Sequence, residues 1–164
     1  MSASILQINI SQGGVPKYAV PEAAVNRLGI EGDIHAHPDI HGGPLQALLL
    51  IDTAAIEEIK ALGYPVTAGS LGENITTLGM DRRWIRLGQQ YRVGQAIIEI
   101  TKPRGPCATL NCYGEGIQQA IYDKLVKDGD HRSPRWGLSG FYASVVQGGV
   151  IRPGAPVVLL SEMT

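Results

Sequence analysis

Residues 91–107 read Tyr91-Arg-Val-Gly94-Gln95-Ala-Ile-Ile-Glu-Ile-Thr101-Lys102-Pro103-Arg104-Gly105-Pro106-Cys107. Tyr91 to Val93 and Ala96 to Thr101 form two short apolar segments around a turn at Gly94-Gln95. Ile98 and Ile100 fall on one face, because side chains alternate along a strand. The loop that follows carries two prolines and a glycine, which give it a defined shape and end it at Cys107. Rigid loops of this kind present functional groups on a fixed scaffold. The pattern predicts a β-hairpin delivering a cysteine, and the rest of the chain is read outward from it.

Upstream, Ser4 to Ile10 alternates as a strand with Leu6, Ile8 and Ile10 on one side. Ala47 to Ile51 is a continuous apolar run, the signature of a buried strand. A helix follows it, capped by Asp52 or Thr53, with Ile56, Ile59 and Leu62 at helical spacing and Gly63 as its stop. Downstream, Gly116 to Lys127 reads as a second helix, with Ile117, Ile121 and Leu125 on one side. Phe141 to Gln147 and Pro156 to Leu160 are strands, separated by a turn at Arg152-Pro-Gly-Ala. The 21 glycines and 10 prolines are spread along the chain and punctuate many short segments. Many strands and two helices in no repeating βαβ order predict a mixed β-barrel with helices packed outside it, α+β and mainly β.

The 164 residues suit a single domain over positions 1–164. A 44% hydrophobic and 18% charged composition argues against disorder. The net charge of −1 gives no basic excess for nucleic acid or an anionic membrane surface, so any anionic ligand must be held by a few local cations. The first residues lack a basic segment and an apolar stretch, and no run is long enough to cross a bilayer. With two cysteines five positions apart, this predicts a cytoplasmic protein with reduced thiols.

Three constellations carry chemistry. Lys102 and Arg104 flank the approach to Cys107 and favour its thiolate, which makes a nucleophile or metal ligand; Cys112, without such neighbours, reads as a packing cysteine. His35, His37 and His41 fall within seven positions of one another, either as a transition-metal site or as a polar loop hydrogen-bonded to itself. Asn74 begins a short strand and either grips a polar cofactor or holds its own turn. Gly29 followed by His35-Ala-His37 also fits the opening of a cupin motif, with His41 where a glutamate is expected.

The order of the blocks resembles the MOSC domain, the module named for the C-terminal domain of molybdenum cofactor sulfurases. Gly29-Ile-Glu-Gly-Asp33-Ile-His35, His41-Gly-Gly-Pro44, Gly69-Ser-Leu-Gly-Glu73-Asn74, Arg104-Gly-Pro-Cys107 and Gly149-Val-Ile-Arg-Pro-Gly-Ala-Pro-Val157 are similar to its successive segments. The likeness runs from about Ser4 to Leu160. It implies a barrel of the pyruvate-kinase-barrel type and binding of the molybdenum cofactor (molybdopterin), with Cys107 as catalytic centre and molybdenum ligand. Lys17, His35, His41, Asn74 and Arg104 would be cofactor-binding, Lys17 as a phosphate contact. The family also carries an association with pyridoxal phosphate. The implied activity is an oxidoreductase reducing N-hydroxylated compounds. The alternative is a sulfur carrier or cofactor-binding protein with sulfane sulfur on Cys107. Either way, the electron or sulfur donor is expected to be a separate protein.

Overall fold

The computed structural model describes residues 2–34 and 43–161. Eleven strands follow in chain order: β1 Ala3–Ile10, β2 Tyr18–Val20, β3 Ala23–Asn26, β4 Gly29–Ile30, β5 Leu48–Asp52, β6 Ile75–Leu78, β7 Gln90–Val93, β8 Ala96–Pro103, β9 Phe141–Gln147, β10 Gly149–Ile151 and β11 Pro156–Ser161. Three short α-helices are α1 Thr53–Ala61, α2 Ile117–Ile121 and α3 Lys124–Lys127. The sheet order β11-β7-β8-β9-β5-β6-β1 closes on itself through β1–β11 pairing, a mixed barrel with β2 appended to β1. Only β5 and β6 run parallel among its described pairings. A smaller sheet, β10-β3-β4, lies beside the barrel. The predicted mixed barrel with packed helices is the observed fold.

The continuous apolar run of β5 has its reason here. All five of its residues are buried. Leu48 and Leu50 join the barrel core with Ile5, Ile8, Ile75, Ile98 and Ile100. Ile51 points the other way, into a second core with Ile56, Ile59, Leu71, Leu110, Ile117 and Ile121. Helix α1 closes that second core through Ile56 and Ile59, each burial stabilising by about 1.5–3 kcal/mol. Asp52 caps the helix, accepting from the Ala54 amide at 3.1 Å, and its other oxygen accepts from the Thr77 hydroxyl at 2.7 Å and the Met80 amide at 2.9 Å. One carboxylate thus ties α1 to β6.

Three sequence expectations are corrected. A register shift between Ile5 and Gln7 in the β1–β6 ladder turns Ile5 inward and leaves Leu6 exposed; a bulge adds one residue and swaps the face presented. The single helix expected over 116–127 is two, because Tyr122 and Asp123 are extended. Asp123 starts a new helix by accepting from the Val126 amide at 2.9 Å, so Val126 is buried and Leu125 exposed. Leu62, expected on the apolar face of the first helix, is its exposed C-cap. Among the described residues no helix is long and apolar enough to cross a membrane.

Candidate functional site

Strand β8 pairs with β9 to its last residue, Pro103 opposite Phe141, and the Arg104 amide extends the ladder to the Gly140 carbonyl at 2.9 Å. The chain then leaves the sheet through Gly105-Pro106 and enters a 3-10 turn, Ala108–Tyr113, with Cys107 as its N-cap. The predicted strand-then-rigid-loop delivery of Cys107 is what forms.

The loop is fastened on both sides of Cys107 to one short stretch of chain. Arg104 is buried, and its Nη2 donates to the Leu71 carbonyl at 2.9 Å and its Nη1 to the Ser139 carbonyl at 3.5 Å. The Tyr113 hydroxyl donates to the carbonyl of Ser70. Cys107 between them is half-buried, and its Sγ lies 2.7 Å from the Thr109 hydroxyl. Cys112 is exposed, so the packing role expected for it is not the one it has.

Tyr142 forms the floor beside this loop. It is buried on β9, with the Lys102 ammonium 5.5 Å from its ring centroid. Burial pushes the Tyr142 hydroxyl above the usual phenol range; the Arg104 guanidinium pulls it back and the charge on Cys107 adds to the rise. Those effects place Arg104, Cys107 and Tyr142 within electrostatic reach of one another.

Lys17 and Asn74 meet in a second network, centred on Asp33. The Lys17 ammonium contacts both Asp33 oxygens, at 2.7 and 2.5 Å, with side-chain exposures of 8% and 2%. Asn74 donates to Asp33 Oδ2 at 2.8 Å and accepts from the Leu49 amide at 3.0 Å. The Ser11 amide donates to Asp33 Oδ1 at 2.9 Å. Open cationic contacts were expected at Lys17 and Arg104. Here Lys17 is neutralised by a buried carboxylate, and Arg104 faces backbone carbonyls. His35, His37 and His41 lie outside the described residues.

The two networks touch through residues 69–74. Glu73 is fully buried and accepts from the Gly69 amide at 2.9 Å and the Thr76 hydroxyl at 2.8 Å. Burial raises its carboxyl well above the ordinary 4.5, against an opposing pull from Arg104. Its Oε1, Arg104 Nε and Ser139 Oγ are buried without a hydrogen-bond partner among the described residues. Sequence reasoning passed over Asp33, Glu73, Thr109, Tyr113 and Tyr142. Two of these had a local signal, since Asp33 and Glu73 lie inside the quoted blocks, beside His35 and Asn74. Tyr142 sits next to inward-facing Phe141, and alternation puts it on the opposite face.

Comparison with known proteins follows the same lines. Residues 37–158 match the family described as MOSC domain. Protein YiiM of Escherichia coli (strain K12) is 29% identical over 147 residues, which cover 87% of this chain and 61% of YiiM. A protein of Gibberella moniliformis (strain M3125 / FGSC 7600) named "Reductase" is 28% identical over 139 residues, covering 82% of this chain and 23% of that protein. The chain thus spans less than two thirds of either curated relative. The crystal structure of YiiM from Geobacillus stearothermophilus superposes with a TM-score of 0.70 at 29% identity, over 97% of this chain and 75% of that one.

Proposed function

This chain belongs to the MOSC domain family, and from that premise we propose that it binds the molybdenum cofactor and reduces N-hydroxylated compounds at a metal held by Cys107. The observation that supports the reading is the setting of Cys107. The residue is half-buried at the end of a loop pinned by Arg104 and Tyr113, with the Thr109 hydroxyl beside its sulfur.

The residues suit such a group. A soft thiolate is a fitting ligand for a high-valent metal that brings its other sulfur ligands with it. When bound, the cofactor supplies the two-electron reduction in which an N–OH bond takes up two protons and two electrons and yields N–H and water. A separate donor protein supplies the electrons.

The chain's own residues have distinct parts. Cys107 would hold the metal, and as a thiolate its sulfur would accept from the Thr109 hydroxyl 2.7 Å away, which would fix its direction. Arg104 is a positioning residue acting through the loop. Lys17 and Asn74 set the wall around Asp33, two residues before His35. Lys17 would have to leave Asp33 to meet a cofactor phosphate. That a relative over most of this chain is named a reductase supports the reading.

The test is protein made in a cofactor-producing host, assayed for molybdenum and for reduction of an aryl amidoxime with an external electron donor. Wild type should carry near-stoichiometric molybdenum. Cys107→Ser should lose both metal and turnover, while Cys112→Ser keeps them. Equal loss in both variants would sink the assignment. A persulfide on Cys107 without molybdenum, seen as one added sulfur by intact mass, would make the protein a sulfur carrier instead.

A further inference from the structure

We propose that the cleft walled by Lys102, Lys127, Tyr122 and Tyr142 is an oxyanion subsite, which binds the phosphate or carboxylate of the small molecule on which the Cys107 site acts. The proposal rests on the functional reading above only for what happens at Cys107; the subsite itself stands on the chemistry of its walls.

The cleft has a volume of about 340 Å³ and is also lined by Gln46 and Gly105. That is the size range of small-molecule sites. Among the described residues no Asp or Glu lines it. Its two cations have no carboxylate partner among the described residues. Lys124, one turn from Lys127 in the same short helix, pairs with Asp128 at 2.8 Å. Lys17, Arg82, Arg83, Arg132 and Arg152 are paired as well. Lys102 instead lies over the Tyr142 ring. Two unpaired ammonium groups on one concave surface leave a local positive field in a chain whose net charge is −1, and such a field concentrates anions.

The remaining walls add donors of the same sense. Burial raises the hydroxyls of both Tyr122 and Tyr142 above their ordinary value, so each keeps its proton through neutral and mildly alkaline pH. Asp123 and Asp128 contribute to the rise at Tyr122. Both carboxylates are turned to other partners, Asp123 to Ser133 and Arg135 and Asp128 to Lys124. The cleft therefore offers two ammonium groups and the Tyr122 phenol, and among the described residues no carboxylate in its walls, a set matched to phosphate or carboxylate oxygens.

Position ties the cleft to the reactive thiol. Gly105 is two residues from Cys107, and Tyr142, which lines the cleft, lies within electrostatic reach of Cys107. Lys102, Gly105 and Lys127 are all exposed, so the cleft is entered from solvent, as an exchanging substrate requires. Gly105 keeps it open: a Cβ there would stand 3.3 Å from the Tyr122 hydroxyl oxygen.

The experiment is calorimetric titration of the protein, purified from the cofactor-producing host, with phenyl phosphate, benzoate and inorganic phosphate. The three probes separate a phosphate ester, a carboxylate and the bare anion. Wild type should bind at least one of the two organic probes, more weakly as salt is raised. Lys102→Gln and Lys127→Gln should each weaken binding on the order of tenfold, the loss of one charge-assisted hydrogen bond. Lys124→Gln, a turn away and already paired, should bind as wild type does. Molybdenum content should be the same in all four proteins. No saturable binding by wild type, or equal affinity in the Lys102→Gln/Lys127→Gln double variant, would overturn the subsite. Loss of molybdenum in the lysine variants would also overturn it, by giving the cleft to the cofactor. Lysine-dependent binding by a protein that holds no molybdenum would support the subsite while sinking the reductase reading, so the two fail separately.

Discussion

Arg104 Nη2 lies 2.9 Å from the carbonyl oxygen of Leu71, which ties the N-terminal side of the Cys107 loop to the chain segment that also carries Asn74. Arg104→Leu removes the guanidinium and leaves the Leu71 and Ser139 carbonyls without their donors. Hydrogen bonds to a charged group are worth about 1.5–3 kcal/mol each, and one of these two is long, so the net loss in urea unfolding should be about 3 kcal/mol. Arg104→Lys can reach one carbonyl at a time and should recover only part of that. Amide hydrogen exchange over residues 104–113 should accelerate in Arg104→Leu. Unchanged exchange there would show that the loop does not depend on this anchor.

The Lys17–Asp33 pair predicts an asymmetry between its two halves. Asp33→Asn leaves a buried ammonium without its counter-charge, which costs about 3–5 kcal/mol. Lys17→Met should cost less, because the Asp33 carboxylate keeps the Ser11 amide and the Asn74 side chain as donors. A double-mutant cycle should return a coupling of at least about 1 kcal/mol, as for groups in one buried network. Equal and additive losses would mean that the two charges do not stabilise each other.

Much of this frame was legible in the sequence, and the parts that were not have common physical causes. The hairpin before Cys107, the buried run of β5 and the Asp52 cap are local: each is set by alternation, by continuous apolarity or by one side-chain oxygen. The bulge in β1 was hidden because Leu6, Ile8 and Ile10 alternate well by themselves, and only pairing with β6 decides that Ile5 turns inward. The break at Tyr122 was hidden because Ile117, Ile121 and Leu125 keep helical spacing across it. At the site, Cys107 and its cations could be found from composition of one loop. The partners of Lys17 and Arg104 could not, since Asp33 is 16 positions from Lys17 and Leu71 is 33 from Arg104. A lone cation in a sequence looks available; a buried one has been matched by something distant.

Two glycines with left-handed backbone separate strain from close approach. Gly63 and Gly69 have φ of +105° and +89°, yet a Cβ at Gly63 would meet nothing within 4 Å, whereas at Gly69 it would stand 2.2 Å from the Lys17 carbonyl oxygen. Gly63→Ala should cost only the backbone strain, about 1–3 kcal/mol. Gly69→Ala must also push away the Lys17 strand, whose amide bonds the Gly69 carbonyl at 2.9 Å, and should be clearly worse by thermal and urea unfolding. Similar losses at both positions would show that the Lys17 segment yields freely.

Glu73 gives the chain a pH dependence with a definite sign. Burial raises its carboxyl above the ordinary 4.5, so the folded state holds this proton more tightly than the unfolded state does. Below about pH 4.5 both states are protonated and the contribution to stability is fully present. As pH rises past that value the unfolded chain releases the proton while the folded chain retains it. Stability then falls, by at most about 1.4 kcal/mol per pH unit for one proton, until the folded carboxyl also ionises. Glu73→Gln keeps an oxygen acceptor for the Gly69 amide and the Thr76 hydroxyl but cannot ionise. The difference in unfolding free energy, variant minus wild type, should therefore climb from acid toward neutral pH and then level off at the folded carboxyl's own titration. Taking the difference cancels the other titrating groups, including Asp81 and Asp130, whose arginine partners hold each carboxyl down to about 2. Parallel curves across that range would mean that Glu73 ionises in the folded protein as it does in water, and that its hydrogen bonds from Gly69 and Thr76, with Arg104, offset its burial in full.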